Sequence, residues 1–371
     1  MPEIGIVIEK TLNESNSGLK MSTYKLQIAE RARERKREAL HSLNQFITEE
    51  LLFNCYKQLN KNSASGTDGE NWYEFGIGAS EQIPALLNKF KTGTYHAPSI
   101  RRMYIPKDNK EGKRALGIST VRDKTLQAAV HSVLEPTYEE DFKHFSYGFR
   151  SKRSAHQALD YMNKEVSFKK MRYIIDADIT NYFGSIDHGM LRDFLARRVN
   201  DGVIRKMIDK WLKAGVLEEG QLSYPTEGTP QGGIISRILA NIFLHYVLNK
   251  WFSKEIQPWL KGKSFIVRYA DDCILGFTDE QDAKRVMEVL PKRFGKYKLS
   301  LHPDKTKFID LYSKSGKGGR SFDFLGFTHY IGKILKGYSV LKLKTSSKKF
   351  TMAITKTEKW IKESRHLELN N

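Results

Sequence analysis

Val267-Arg268-Tyr269-Ala270-Asp271-Asp272-Cys273-Ile274-Leu275 sets two adjacent acids between apolar, β-prone flanks. That pattern reads as two strands meeting at a tight turn. Neighbouring side chains of a strand point to opposite faces, so Asp271 and Asp272 project together only if the turn re-aims one of them. Side-by-side carboxylates repel, and folding alone does not ask for them; a divalent cation removes the repulsion and gives the pair a purpose. Taken alone, such a dipeptide is more commonly a solvated turn. Upstream, however, Tyr173-Ile174-Ile175-Asp176-Ala177-Asp178-Ile179 reads as a second strand interrupted by acids. An unpartnered carboxylate in apolar text is expensive, so Asp178 and Asp271 form a plausible pair of metal ligands. Asp176, two residues before Asp178, points the same way along a strand and is its rival. Oxygen-only ligands suit magnesium, which keeps waters and substrate phosphates in its shell. Two such ions can clamp the attacking and leaving oxygens of a phosphoryl transfer.

The 371 residues are 40% hydrophobic, ample for a real core, and their number suggests two or three domains or one multi-lobed unit. Lys and Arg outnumber Asp and Glu by 62 to 43, a formal charge of +19 that points to a polyanionic partner, most simply nucleic acid. Cys55 and Cys273 are the only cysteines and show no Cys/His metal spacing, which argues for a reducing compartment. No stretch reaches the length of a membrane span, and the N-terminus lacks a cleavable apolar core, so a cytoplasmic protein without a membrane partner is expected.

Residues 1–20 read as a loose lead-in. Residues 23–38 read as a charged helix with Glu30, Glu34 and Glu38 on one face, the mark of a solvated helix. Leu40, Leu43, Ile47 and Leu51 then form an apolar stripe at helical spacing. A breaker-rich loop over 60–69 and a helix over 80–91 lead to a basic hairpin, 101–107 with 114–118. Helices follow at 122–135 and 154–165, on either side of Phe145-Ser146-Tyr147-Gly148-Phe149-Arg150. Two more are expected near 188–200 and 203–214. Glu227-Gly228-Thr229-Pro230-Gln231-Gly232-Gly233 opens an apolar helix reaching to Trp251. Beyond the acidic hairpin come a helix over 279–295, a flexible connection over 311–321, and short strands over 322–343 broken at Gly326, Gly332 and Gly337. A last helix over 346–365 is expected to bury Phe350, Ile354 and Ile361 while Lys349, Lys356 and Lys359 share another face.

Four segments in order carry a family resemblance: Ala177-Asp178-Ile179 with Tyr182-Phe183, Gly228-Thr229-Pro230-Gln231-Gly232-Gly233, Tyr269-Ala270-Asp271-Asp272, and Phe324-Leu325-Gly326-Phe327. From residue 26 to residue 365 the sequence resembles the reverse transcriptase of bacterial group II introns. The resemblance implies an α+β right-hand polymerase with interleaved fingers and palm, an antiparallel palm sheet backed by helices, and a partial helical thumb. It places an N-terminal extension and helix over 1–60, fingers with part of the palm over 61–175 and palm over 176–330. The reverse transcriptase domain as a whole then covers 88–330, with the start of a thumb over 331–371.

By the same resemblance Asp178 and Asp271 hold two Mg²⁺ ions, for which Mn²⁺ can substitute, with the Ile179 carbonyl as a further ligand and Asp272 as the neighbouring carboxylate. Phe183 matches the steric gate against a ribose 2′-hydroxyl. Lys107 and Arg114 match the residues that grip the incoming triphosphate, a point charge and a bidentate fork. Gln231 lines the nucleotide and template site, and Lys305 matches a lysine near the triphosphate that can protonate the departing pyrophosphate. The last helix would contact the duplex backbone through its lysines. Implied partners are an RNA template, a DNA or RNA primer and dNTPs, with the chain's own intron RNA and a homodimer left open. Arg237 and Ala115 stand where the family usually has proline, and Gly184 replaces a common acid. Because the sequence stops just after Arg365-His366, neither splicing nor DNA cleavage is expected of this stretch alone. The main expectation is an RNA-directed DNA polymerase; the alternatives are an RNA-binding splicing cofactor (maturase) and an RNA-templated RNA polymerase, the latter disfavoured by Phe183.

Overall fold

The computed structural model describes residues 23–106, 112–230, 232–313 and 320–365. Helix α1 spans 23–34, and α2 (Glu49–Gln58) starts at Thr48, whose hydroxyl accepts from the Leu51 amide. An Asn71–Glu74 capping box opens α3 (Trp72–Ile77), and α4 (Ala79–Thr92) stops where Gly93 turns left-handed. Strands β1 (Ile100–Pro106) and β2 (Lys113–Ile118) pair antiparallel, with Ile105 opposite Arg114. Helices α5 (Val121–Glu139) and α6 (Ala155–Lys169) precede β3 (Tyr173–Ala177). After α7 (His188–Ala196) and α8 (Gly202–Leu212) come the short β4 (Val216–Glu218) and β5 (Gln221–Ser223), then α9 (Ile234–Leu244). Strands β6 (Ser264–Tyr269) and β7 (Asp272–Phe277) form the acidic hairpin, followed by α10 (Glu280–Gly295) and β8 (Lys307–Asp310). The last elements are β9 (Ser321–Phe324), β10 (Phe327–Lys333), β11 (Ser339–Thr345) and α11 (Ser347–Ser364).

The central sheet runs β6-β7-β3-β8 and is antiparallel throughout. Both of its faces are buried, and the side chains divide by the two-residue period of a strand. Ile175, Ala177, Ile266, Cys273, Leu275 and Phe277 belong to the large helical core, while Ile174, Phe265, Val267 and Ile274 belong to a second core shared with α6 and the β9–β11 sheet. The hairpin β1–β2 joins β4 and β5 in a separate sheet of order β2-β1-β4-β5.

Several expectations change. Helix α1 is docked rather than solvated: Ile28 and Ala32 are fully buried, and Arg198 donates to the carbonyls of Ala32 and Glu38. Only its Glu30 and Glu34 side stays exposed. The stripe Leu40, Leu43, Ile47, Leu51 is buried, yet it is not one helix. Leu40 bridges to Val199, and Ser42 takes a left-handed φ of 55° before a single turn of tight helix. Strand β3 ends at Ala177, so Asp178 lies just past its end. Gly332 does not break a strand but pairs with Val340 within β10–β11; the breaks fall at Gly326 and Gly337. Helix α11 buries none of its residues, and Phe350, Ile354 and Ile361 stay exposed, because among the described residues no element covers that face. The lead-in over 1–20 and positions 314–319 of the expected connection lie outside the described residues. Cys55 and Cys273 are both buried and free. Among the described residues, no helix is long and apolar enough to cross a membrane.

Candidate active site

The β6–β7 hairpin turns through Ala270 and Asp271 alone, since Tyr269 pairs directly with Asp272. Ala270 is left-handed, with φ 58°, which lets a two-residue turn match the twist of the strands at the cost of strain in a residue with a Cβ. That turn takes Asp271 out of strand alternation. Strands β3 and β7 pair Asp176 with Ile274 and Ala177 with Cys273, so continuing the register sets Asp178 opposite Asp272. Acids from two distant segments thus meet at one end of the central sheet. The Asp178 carbonyl accepts from the His302 amide, which ties this corner to the segment before β8.

The electrostatics follow from that crowding. Burial, reinforced by Asp271 and Asp178, pushes the Asp272 carboxyl up to about 6, although its outer edge remains in solvent. The Asp271 carboxyl is also held high, by burial first and with Asp178 adding to it, while Arg114 and Arg268 oppose the shift. Asp176 is pushed to about 7 by burial and Asp272, against the pull of Lys307, its neighbour across the β3–β8 pair. The Lys305 ammonium stands 3.5 Å from an Asp178 oxygen. Among the described residues no three acidic, His or Cys side chains close into a metal cage on their own. An open set of carboxylate oxygens crowded enough to repel one another fits a hard divalent cation that takes its remaining ligands from water and phosphate.

Beneath the turn lies a residue that the sequence did not single out. Arg268 is completely buried, and no carboxylate among the described residues pairs with it. Its guanidinium donates to Asn249 Oδ1 (3.0 Å), Asn241 Oδ1 (3.0 Å), the Ala270 carbonyl (2.6 Å) and Ser146 Oγ (2.6 Å). Asn249 closes a π-helical turn that follows α9, a local widening that aims its amide at the guanidinium. The loop over 145–150 is stitched to the same place, with Tyr147 N donating to Arg268 O and Asn241 Nδ2 to Gly148 O, at 2.9 and 2.8 Å. Gly148 is required there, because a Cβ would sit 2.2 Å from the Ala270 nitrogen.

A cavity of about 410 Å³ lies between the β1–β2 hairpin and the turn after β3, lined by Arg102, Ala115, Phe183, Gly184, Thr229 and Pro230. Phe183 lies in the tight turn Tyr182–Ser185, packed edge-on against Tyr182 at 5.5 Å. Amides of Gly228 and Thr229 donate to Ile186 O and Phe183 O, so the Gly-Thr-Pro segment is fastened to the Phe183 turn. Gly184, where an acid is common, faces Asn181: a Cβ would stand 2.4 Å from its amide. Helix α9 starts at Gly233, and the Ile235 amide donates to Gln127 from α5. The structure therefore gathers Asp178, Asp271, Asp272 and Lys305 at one place. It puts Arg114, on β2, close enough to influence two of these acids, and lines the cavity under the β1–β2 hairpin with Phe183. Ile179 is buried beside Leu301. Lys107 and Gln231 lie outside the described residues.

Residues 105–329 match the family model of reverse transcriptase (RNA-dependent DNA polymerase). The group II intron-encoded protein LtrA of Lactococcus lactis subsp. cremoris is 39% identical over 196 residues, 53% of this chain and 32% of LtrA. YkfC of Escherichia coli K12 is 32% identical over 274 residues, covering 65% of this chain and 71% of YkfC. The chain thus spans about a third of the length of LtrA. Among solved structures, telomerase from Candida albicans superposes with a TM-score of 0.50 at 15% identity, over 75% of this chain and 50% of that one, a likeness of fold alone. The architecture is the α+β fold of right-hand polymerases. On these grounds the chain belongs to the reverse transcriptase family, and the group II intron-encoded protein LtrA is among its relatives.

Proposed function

We propose that this chain is an RNA-directed DNA polymerase that extends a DNA or RNA primer with dNTPs on an RNA template. The observation that carries the proposal is the meeting of Asp178 with Asp271 and Asp272 across adjacent strands, with Phe183, on the turn that follows Asp178, lining a cavity. In this reading the central sheet is the palm, the β1–β2 sheet belongs to the fingers, and α11 begins a thumb. The family depends on divalent metal, and the open carboxylate set suits magnesium, with manganese as a substitute. Two such ions, when bound, would polarise the attacking hydroxyl and the leaving phosphate oxygens. Asp178 and Asp271, with the Ile179 carbonyl, would hold them, and Asp272 would complete the negative field. Arg114 and Lys107 would grip the triphosphate, Gln231 would face the nucleotide and template, and Phe183 would exclude a ribose 2′-hydroxyl. Lys305, whose ammonium stands 3.5 Å from an Asp178 oxygen, would give a proton to the departing pyrophosphate.

Primer extension on an RNA template with dNTPs and Mg²⁺ tests this directly. Product is expected from the wild type and none from Asp271→Ala or after chelation of the metal. No wild-type product, or undiminished product from Asp271→Ala, overturns the proposal.

A second reading is favoured by the intron-encoded relatives and the +19 charge: a splicing cofactor (maturase) that binds its own intron RNA. Splicing of that intron by Asp178→Ala protein separates the two, because a cofactor needs no polymerase carboxylate. A cytoplasmic location is proposed from the two free, buried cysteines.

A further inference from the structure

We infer that Phe149, backed by Arg237, fixes the ring of Phe183 and so sets how strongly this chain rejects ribonucleotides; the inference rests on the gate reading of Phe183 given above. A steric gate discriminates only if its ring cannot swing away from an extra hydroxyl. Phe183 is only partly buried, so part of its ring must be held from outside the core. Phe149 supplies that contact, edge-on at 6.3 Å between ring centroids with the planes 70° apart. Tyr182 holds another side of the same ring at 5.5 Å.

Nothing in the hydrophobic core asks for Phe149. It is 42% exposed, and its backbone is left-handed at φ 58°, a conformation a bulky residue avoids. That conformation is imposed from both sides. The Gly148 carbonyl accepts from buried Asn241, and Arg150 is locked by Glu139, at 2.7 Å, and by the Ser146 carbonyl. The loop is therefore held on both sides where it presents an exposed, strained aromatic ring to Phe183, which is the pattern of a functional rather than a structural residue.

Arg237 supplies the backing. Its guanidinium lies over the Phe149 ring, 5.8 Å from the centroid, a cation–π arrangement that restrains the ring. Arg237 lies on α9, so the Arg237–Phe149–Phe183 stack joins that helix to the 145–150 loop and the turn after β3.

The test is single-nucleotide incorporation on an RNA template, read as the ratio of kcat/KM for a dNTP to that for the matching rNTP. Glycine suits the φ of residue 149, so Phe149→Gly removes the ring without disturbing the loop. Loss of one aromatic pair predicts a ratio about two- to ten-fold lower. Phe149→Tyr keeps the ring and should keep the ratio; Arg237→Ala should lower it by less than Phe149→Gly. In a Phe183→Val background, Phe149→Gly should change nothing further, since there is no gate left to hold. If Phe183→Val lowers the ratio and Phe149→Gly does not, the support role is wrong and the gate stands. If Phe183→Val itself leaves the ratio unchanged, the gate reading fails and this inference fails with it.

Discussion

Arg268→Met asks whether a buried cation holds the Ala270–Asp271 turn of the proposed active site. The guanidinium has no exposed surface and makes four hydrogen bonds, one of them to the carbonyl of Ala270. Burial, with the charge of Arg150 adding to it, draws its pKa down to about 10. An isolated cation in such a place costs several kcal/mol in lost hydration, so removing it returns part of what its acceptors lose. Each orphaned acceptor costs about 1 kcal/mol or more, and the two contributions leave a net destabilisation of about 2 kcal/mol. The effect on activity should be larger. Ala270 is left-handed at φ 58°, a strain of about 1–2 kcal/mol for a residue with a Cβ. A hydrogen bond from a charged donor contributes about 1.5–3 kcal/mol and outweighs it. Without that bond the turn relaxes and carries Asp271 with it, and a displacement of about 1 Å in a reacting group costs about 100-fold in rate. Steady-state primer extension alongside thermal unfolding is the assay. The expected result is a folded protein with kcat down by about two orders of magnitude and the apparent KM for dNTP little changed. Arg268→Lys keeps the charge but not the planar fork and should recover only part of the rate. A folded Arg268→Met protein with near wild-type kcat refutes the reasoning.

Gly148→Ala should have a related effect from the other side, since its Cβ would stand 2.2 Å from the Ala270 nitrogen. A loss of about 1–3 kcal/mol in urea titration is expected, together with depressed primer extension. Gly202→Ala meets nothing within 4 Å and serves as the control, shifting stability by about 1 kcal/mol or less in the same titration. Asp123→Ala removes the acceptor of Trp211 Nε1 (2.7 Å), Gln127 Nε2 (2.8 Å) and Tyr95 OH (3.1 Å) in a fully buried junction of α5 and α8. Orphaning those groups predicts a loss of about 3 kcal/mol or more, measured by urea unfolding. Acid should weaken the fold through His245, whose imidazole burial holds down to about 3 from an ordinary 6.5. The unfolded chain takes the proton first, so stability falls as pH drops from about 6.5 towards 3. Thermal midpoints across that range should fall less steeply for His245→Gln than for the parent.

Much of this molecule is local and could be read from text. The acidic hairpin, the β1–β2 hairpin, and the starts of α6 and α10 depend on patterns a few residues long: strand alternation, capping side chains and turn formers. The Phe324-Leu325-Gly326-Phe327 run likewise placed a strand break where Gly326 has φ 85°. What failed was reach. The stripe from Leu40 to Leu51 had helical spacing, yet Val199 draws Leu40 into a bridge and Ser42 breaks the helix. Charge interleaving described only the outer side of α1, because Arg198, far along the chain, docks its inner side. Periodicity gave α11 an apolar face but could not show whether anything covers it.

The sequence by itself determined which residues can bear charge for chemistry and the order in which they occur, because an acid in an apolar strand is conspicuous where it stands. Tertiary structure alone decided that Arg268, an ordinary arginine between Val267 and Tyr269, becomes a buried clamp, and that Phe149 rests on Phe183. Whether a charge is buried, and whether its hydrogen bonds are met, depends on partners such as Ser146, Asn241 and Asn249 that only the folded chain brings together.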